Sequence, residues 1–147
     1  MRALVTRVVR ASVSWESEKQ DIGPGFLILV GVGQGDSPEK SKKLADKIAA
    51  LRIFSNDEGK FDKSLVDTKG EALVVSQFTL YANLKGGRRP DFAGAAKPDE
   101  ANALYERFCA DLKALGVPVK TGKFAAHMQV ESVNDGPVTI WLDTDAF

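Results

Sequence analysis

Along this chain, stretches whose apolar residues recur every second position alternate with stretches apolar throughout and with two stretches whose apolar residues recur every third or fourth. Residues 2–10 and 12–17 are rich in valine and alternate well enough to predict two strands, with a turn near Arg10-Ala11 or slightly beyond it. Arg7 shares a face with Val5 and Val9 on a period of two, so either that face is exposed or the guanidinium is drawn inward to an acceptor. Asp21-Ile22-Gly23-Pro24-Gly25 reads as a turn, and Phe26-Leu27-Ile28-Leu29-Val30-Gly31-Val32 as a central strand. Ser37-Pro38-Glu39 opens a helix with a cap residue, a proline at the first helical position and a carboxylate suited to the dipole. Leu44, Ile48 and Leu51 mark its buried stripe, and Lys40, Lys43 and Lys47 its solvated face. Ile53-Phe54 predicts a short strand before the polar turn of residues 55–60.

In the second half, Ala72-Leu73-Val74-Val75 follows Gly70 and predicts a strand buried on both faces, closed by Ser76-Gln77-Phe78-Thr79-Leu80. Unpaired polar side chains cost roughly 1–3 kcal/mol each in a dry interior, which places Ser76, Gln77 and Thr79 at a strand mouth facing a ligand or water. On these five residues alone, an ordinary strand leaving the core remains an equal alternative. Residues 82–98 form a glycine-rich basic loop, and Pro98-Asp99-Glu100 starts a second helix. Its stripe is Ala101, Leu104, Phe108, Leu112 and Leu115, and Gly116 with Pro118 ends it. Val117 to Lys120 and Met128 to Val133 read as strands, and Val138, Ile140 and Leu142 alternate with Thr139, Trp141 and Asp143 in a last, half-buried one. The elements predict an α/β fold in one domain over residues 1–147. It is a mixed curved sheet, or partial β-barrel, of about seven or eight strands with two main helices packed on it.

Composition narrows the chemistry. Hydrophobic residues at 44% and charged ones at 27% describe an ordinary globular chain, and a formal net charge of zero excludes RNA binding by bulk electrostatics. Any nucleic-acid contact must be local. Lys85, Arg88, Arg89 and Lys97 face a single carboxylate, Asp91, within the basic loop, which hints at a phosphate-bearing partner; a merely solubilising loop is the alternative. The lone cysteine excludes an internal disulfide, and no Cys and His residues have zinc-site spacing. Asp57, Glu58 and Asp62 lack the calcium-loop template, and Gly31-Val32-Gly33-Gln34-Gly35 lacks both nucleotide-loop signatures, so neither metal nor cofactor is expected. The first seven residues lack the apolar core of a signal peptide and no apolar run approaches the ~20 residues of a membrane span, so the expected location is the cytoplasm, away from membranes. Cys109 lies at the edge of the second helix's stripe near Glu106 and Asp111 and reads as an inert thiol. His127, the only histidine, could act as a base only with a nucleophile and a carboxylate beside it, and a surface or packing role fits it better.

Two separated motifs, Ser76-Gln77-Phe78-Thr79-Leu80 and Asn134-Asp135-Gly136-Pro137-Val138-Thr139, closely resemble the signatures of the bacterial and eukaryotic D-aminoacyl-tRNA deacylases. The likeness extends through Arg7-Val8, Leu51-Arg52-Ile53-Phe54, Gly87-Arg88-Arg89-Pro90 and Met128. One departure is Phe124-Ala125-Ala126, where the family usually reads Phe-Gly-Ala; a Cβ is disfavoured there if the backbone carries a positive φ. The resemblance implies that family's fold and hydrolysis of the ester of a tRNA carrying a D-amino acid, with glycyl-tRNA also accepted. It implies Gln77, Phe78 and Thr79 in the catalytic role, and Ser76, Met128, Gly136, Pro137 and Arg7 in substrate binding, with Arg7 holding the glycine-proline segment. It also implies a homodimer whose site is completed across the subunit boundary by a cis Gly136-Pro137 peptide acting as the chirality filter. Three other readings compete with it: a non-catalytic tRNA-end binding module, a related editing deacylase for small L-aminoacyl-tRNA, and a purely structural dimer.

Overall fold

A computed structural model describes all of residues 1–147. The chain begins with β1 (Arg2–Trp15), β2 (Glu18–Ile22) and β3 (Gly25–Gly31), followed by α1 (Pro38–Ala49), β4 (Phe54–Ser55), β5 (Phe61–Lys63) and α2 (Leu65–Thr68). Next come β6 (Glu71–Ser76), a single 3₁₀ turn (Phe78–Tyr81), α3 (Pro98–Ala114), β7 (Val119–Thr121) and β8 (Gln129–Asp143). Six strands form one sheet in the order β2-β1-β3-β6-β7, with β8 on the other side of β1; β4 and β5 pair separately. β3, β6 and β7 run parallel, while β1 is antiparallel to β2, β3 and β8. The sheet curls until its ends meet, so that Lys120 Nζ on β7 donates to the Asp21 carbonyl on β2 at 2.6 Å. This is the expected mixed α/β architecture, eight strands with α1 and α3 as its main helices.

Two cores result. The larger lies between the helices and one face, where Ala3, Val5, Phe26, Ile28, Ala72 and Val74 meet Leu44, Ile48, Phe108 and Leu112. The smaller fills the concave side with Val8, Ala11, Val13, Ile22, Leu27, Leu73 and Val75. β6 contributes to both, and its residues Ala72 to Val75 are buried, as a two-sided central strand requires. Ser37 caps α1 and Pro38 occupies its first turn, while Ser41 Oγ donates to Asp111 on α3 at 3.0 Å. No helix is long and apolar enough to cross a membrane.

Three expectations need correction. Residues 2–10 and 12–17 are not two strands: β1 runs unbroken from Arg2 to Trp15, and the reversal comes afterwards, with Glu16 at φ +49°. The valine alternation breaks because β1 is bulged between Thr6 and Arg10, and its buried face passes from the larger core to the smaller one. Asp21 and Ile22, read as turn residues, belong to β2, leaving Gly23 and Pro24 to make the bend. Nor are Met128 to Val133 and the run from Val138 two separate strands. Both halves of β8 pair with β1 in the same direction, Arg2 with Asp143 through Thr6 with Thr139, then Val8 with Asn134 through Ser14 with Gln129. Asp135-Gly136-Pro137-Val138 is therefore a four-residue excursion opposite Arg7, in one long strand.

Candidate active site

β6 carries the candidate site because it ends abruptly. The Gln77 N–H donates to the Val30 carbonyl at 2.8 Å as a last tie to β3, and the chain then coils into the Phe78–Tyr81 turn. The Leu80 N–H bonds back to Gln77 O at 3.3 Å, so Phe78 and Thr79 occupy the first two positions of the turn, whose N–H groups have no acceptor within it. The Phe78 ring is 56% exposed yet held edge-on to Phe92, with centroids 4.9 Å apart. Thr79 is exposed, and its hydroxyl meets the Gln77 side-chain amide rather than Ser76. This is not the mutually bonded, buried polar pair that a purely structural role for Ser76 and Thr79 would need.

Ser76, Gln77 and Phe78 form one wall of a cavity of about 560 Å³. Opposite them stand Phe124, Ala125, Ala126, His127 and Met128, and the start of α3 closes the end with Pro98 and Ala101. The lining is mainly apolar, as sites for small organic groups are, with a few polar groups at the mouth. Ala125 takes φ +61°, so the residue standing where the family pattern has glycine does adopt the left-handed conformation that disfavours a Cβ.

Of the residues singled out by sequence, Ser76, Gln77, Phe78 and Met128 share this cavity, with Thr79 immediately beyond. Arg7, Gly136 and Pro137 lie elsewhere. Arg7 is buried and turned inward: Nε donates to the Asp135 carbonyl at 2.8 Å and a terminal nitrogen to the Ile53 carbonyl at 2.6 Å, with the Asp135 carboxylate 3.5 Å away. The Gly136-Pro137 peptide is cis, exposed, and borders none of the five principal cavities. Val130, at the start of β8, does touch the cavity, and the strand from there to Asn134 spans about 14 Å.

Sequence reasoning missed His127, Phe92 and Phe124 as cavity walls. No carboxylate partners His127, and no three His, Cys, Asp or Glu side chains gather where a metal could be held. Cys109 lies outside the cavity. Burial is the main reason its thiol is pushed up to about 11, with Glu106 adding to the effect, while Lys113 and Tyr105 oppose it.

Comparison with known proteins follows the same lines. Residues 4–143 match the family model for D-Tyr-tRNA(Tyr) deacylase. A D-aminoacyl-tRNA deacylase of Thermomicrobium roseum is 55% identical over 98% of this chain and 94% of its own length; one of Roseiflexus sp. is 55% identical over 100% and 96%. Among solved structures, the c-Myc DNA Unwinding Element Binding Protein superposes with a TM-score of 0.92 at 42% identity, covering 97% of this chain and 98% of its own. A probable eukaryotic D-amino acid tRNA deacylase shares the fold at 0.81 and 18% identity, over 96% and 97%. With the family model spanning nearly every residue and such relatives matching end to end, this chain belongs to the D-Tyr-tRNA(Tyr) deacylase family of aminoacyl-tRNA ester hydrolases.

Proposed function

We propose that this protein hydrolyses the ester between a D-amino acid and the terminal ribose of tRNA, releasing both, and that it also clears glycyl-tRNA while sparing L-aminoacyl-tRNA. The observation that carries this reading is the junction of β6 with the Phe78–Tyr81 turn, where unengaged N–H groups stand at the mouth of an apolar cavity. Backbone N–H groups of Phe78 and Thr79 hold the carbonyl oxygen as it gains charge; that of Gln77, already given to Val30, does not. An aminoacyl ester is activated, so positioning and oxyanion donors suffice and no nucleophilic side chain is needed. The Thr79 hydroxyl, oriented by the Gln77 amide, or the ribose hydroxyl assists the incoming water.

Handedness is judged by a second copy of the chain. The outer edge of β8 is unpaired, and Val130, Val133 and Trp141 are exposed along that strand. A two-fold copy docked there delivers its Gly136-Pro137 to this cavity and receives this chain's in return, since such contacts are reciprocal. Main-chain oxygens fixed beside the α-carbon accept an ammonium group and collide with an L side chain. This is selection by exclusion, indifferent to the D side chain and permissive to glycine.

The test is single-turnover hydrolysis of D-tyrosyl-, L-tyrosyl- and glycyl-tRNA, with sedimentation to read the oligomeric state. The expected result is a dimer that cleaves the first and third and leaves the second. Binding without any shortening of ester lifetime would make the protein a tRNA-end binding module instead. Undiminished rates in both Thr79→Ala and Thr79→Ser would remove the hydroxyl from the mechanism.

A further inference from the structure

Twelve of the twenty lysines and arginines stand at ion-pair distance from no carboxylate, and four of those twelve, Lys85, Arg88, Arg89 and Lys97, fall close together in the chain. The one acid among them, Asp91, turns its carboxylate to the Ala93 N–H at 2.8 Å. The backbone that carries the first three is nevertheless tied back on itself. Asn83 and Asp91 exchange two backbone hydrogen bonds, of 2.7 and 2.9 Å, which close residues 84–90 into a tip whose every residue is exposed. Seven residues running out and back extend at most about 12 Å. At the base of the tip, Phe92 packs on Phe78 in the cavity wall, so the tip rises from the rim of the site.

Its glycines point the same way. Gly87 needs its φ of +141°, but Gly86 has no such need, and a Cβ at either position would meet nothing within 4 Å. Packing requires neither glycine, and the main chain at the tip is left open to close approach by a ligand.

We propose that residues 84–90 form a phosphodiester clamp, in which Lys85, Arg88 and Arg89 hold backbone phosphates of the tRNA acceptor end while the ester occupies the cavity. The clamp rests on the deacylase reading above and adds to it how a neutral protein engages a polyanion. Guanidinium forks and an ammonium group match phosphate oxygens without reading bases, so the clamp contributes to affinity and not to the choice among tRNAs.

The test compares D-tyrosyl-tRNA with 3′-O-(D-tyrosyl)adenosine, which carries the same ester and no phosphate, for wild type and Arg88→Gln/Arg89→Gln. We expect kcat/KM for tRNA, relative to that for the adenosine ester, to fall roughly tenfold through KM. The slope of its logarithm against log salt should flatten by about 1.4–1.8 for two lost phosphate contacts. Lys43→Gln/Lys47→Gln on α1, which removes the same charge, should produce neither change. An unchanged ratio, an equal loss with the α1 variant, or stronger competition by single-stranded DNA than by deacylated tRNA would overturn the clamp. Wild type inactive on both esters would instead overturn the deacylase reading beneath it.

Discussion

Arg7 Nε donates to the carbonyl oxygen of Asp135 at 2.8 Å, joining the bulge in β1 to the glycine-proline excursion in β8. The same guanidinium satisfies the Ile53 carbonyl, so one buried side chain ties three segments together. Replacing it with alanine leaves those acceptors unpaired. Arg7→Ala should cost about 2–4 kcal/mol in urea denaturation. Arg7→Lys, with one ammonium for two diverging acceptors, should keep the fold and relax the excursion, visible as increased hydrolysis of L-tyrosyl-tRNA.

Gly136 has φ +153°, and a Cβ built there would lie 2.6 Å from the Val138 nitrogen. Main-chain atoms cannot yield as a flexible side chain does, so Gly136→Ala must displace the peptide that carries the proposed filter. The expected outcome is a fall of at least tenfold in the D-to-L ratio of single-turnover rates. An unchanged ratio would put discrimination elsewhere.

Ala125 holds the left-handed conformation in the cavity wall. An L residue there is disfavoured by about 1–2 kcal/mol, and glycine's extra freedom in the unfolded chain returns about half of that. Ala125→Gly should therefore stabilise the protein by about 0.5–1 kcal/mol, raising the urea midpoint at constant m-value.

With its thiol pushed up to about 11 and its side chain buried on α3, Cys109 has about one thiolate in a thousand molecules at pH 8. A disulfide reagent such as Ellman's should leave native protein unlabelled over minutes and react at once in denaturant. Rapid native labelling at pH 8 would mean that α3 opens locally.

Where one periodicity ran undisturbed, the sequence was legible: β3, β6, α1 and α3 lie where their patterns put them. β1 was misread because a bulge interrupts a strand's alternation without ending the strand, and on paper the two are indistinguishable. β8 was misread for the matching reason, since Gly-Pro between two apolar runs signals a reversal and only the shared partner β1 shows that none occurs. α2 has four residues, too few to display a period. At the candidate site, Ser76, Gln77 and Thr79 announced themselves as polar groups at the end of a buried strand, and Phe78 was named only through the motif they share with the family. His127 and Phe92 carried no such signal, because nothing local to residues 92 or 127 says that the chain returns them to residue 78.

β6 has side chains locked into packed interiors above and below it, and the mouth of the candidate site is its direct continuation. The amides of Leu73 and Val74 will therefore exchange with solvent only when the whole chain comes apart, while the partly exposed Phe78–Tyr81 turn opens at lower cost.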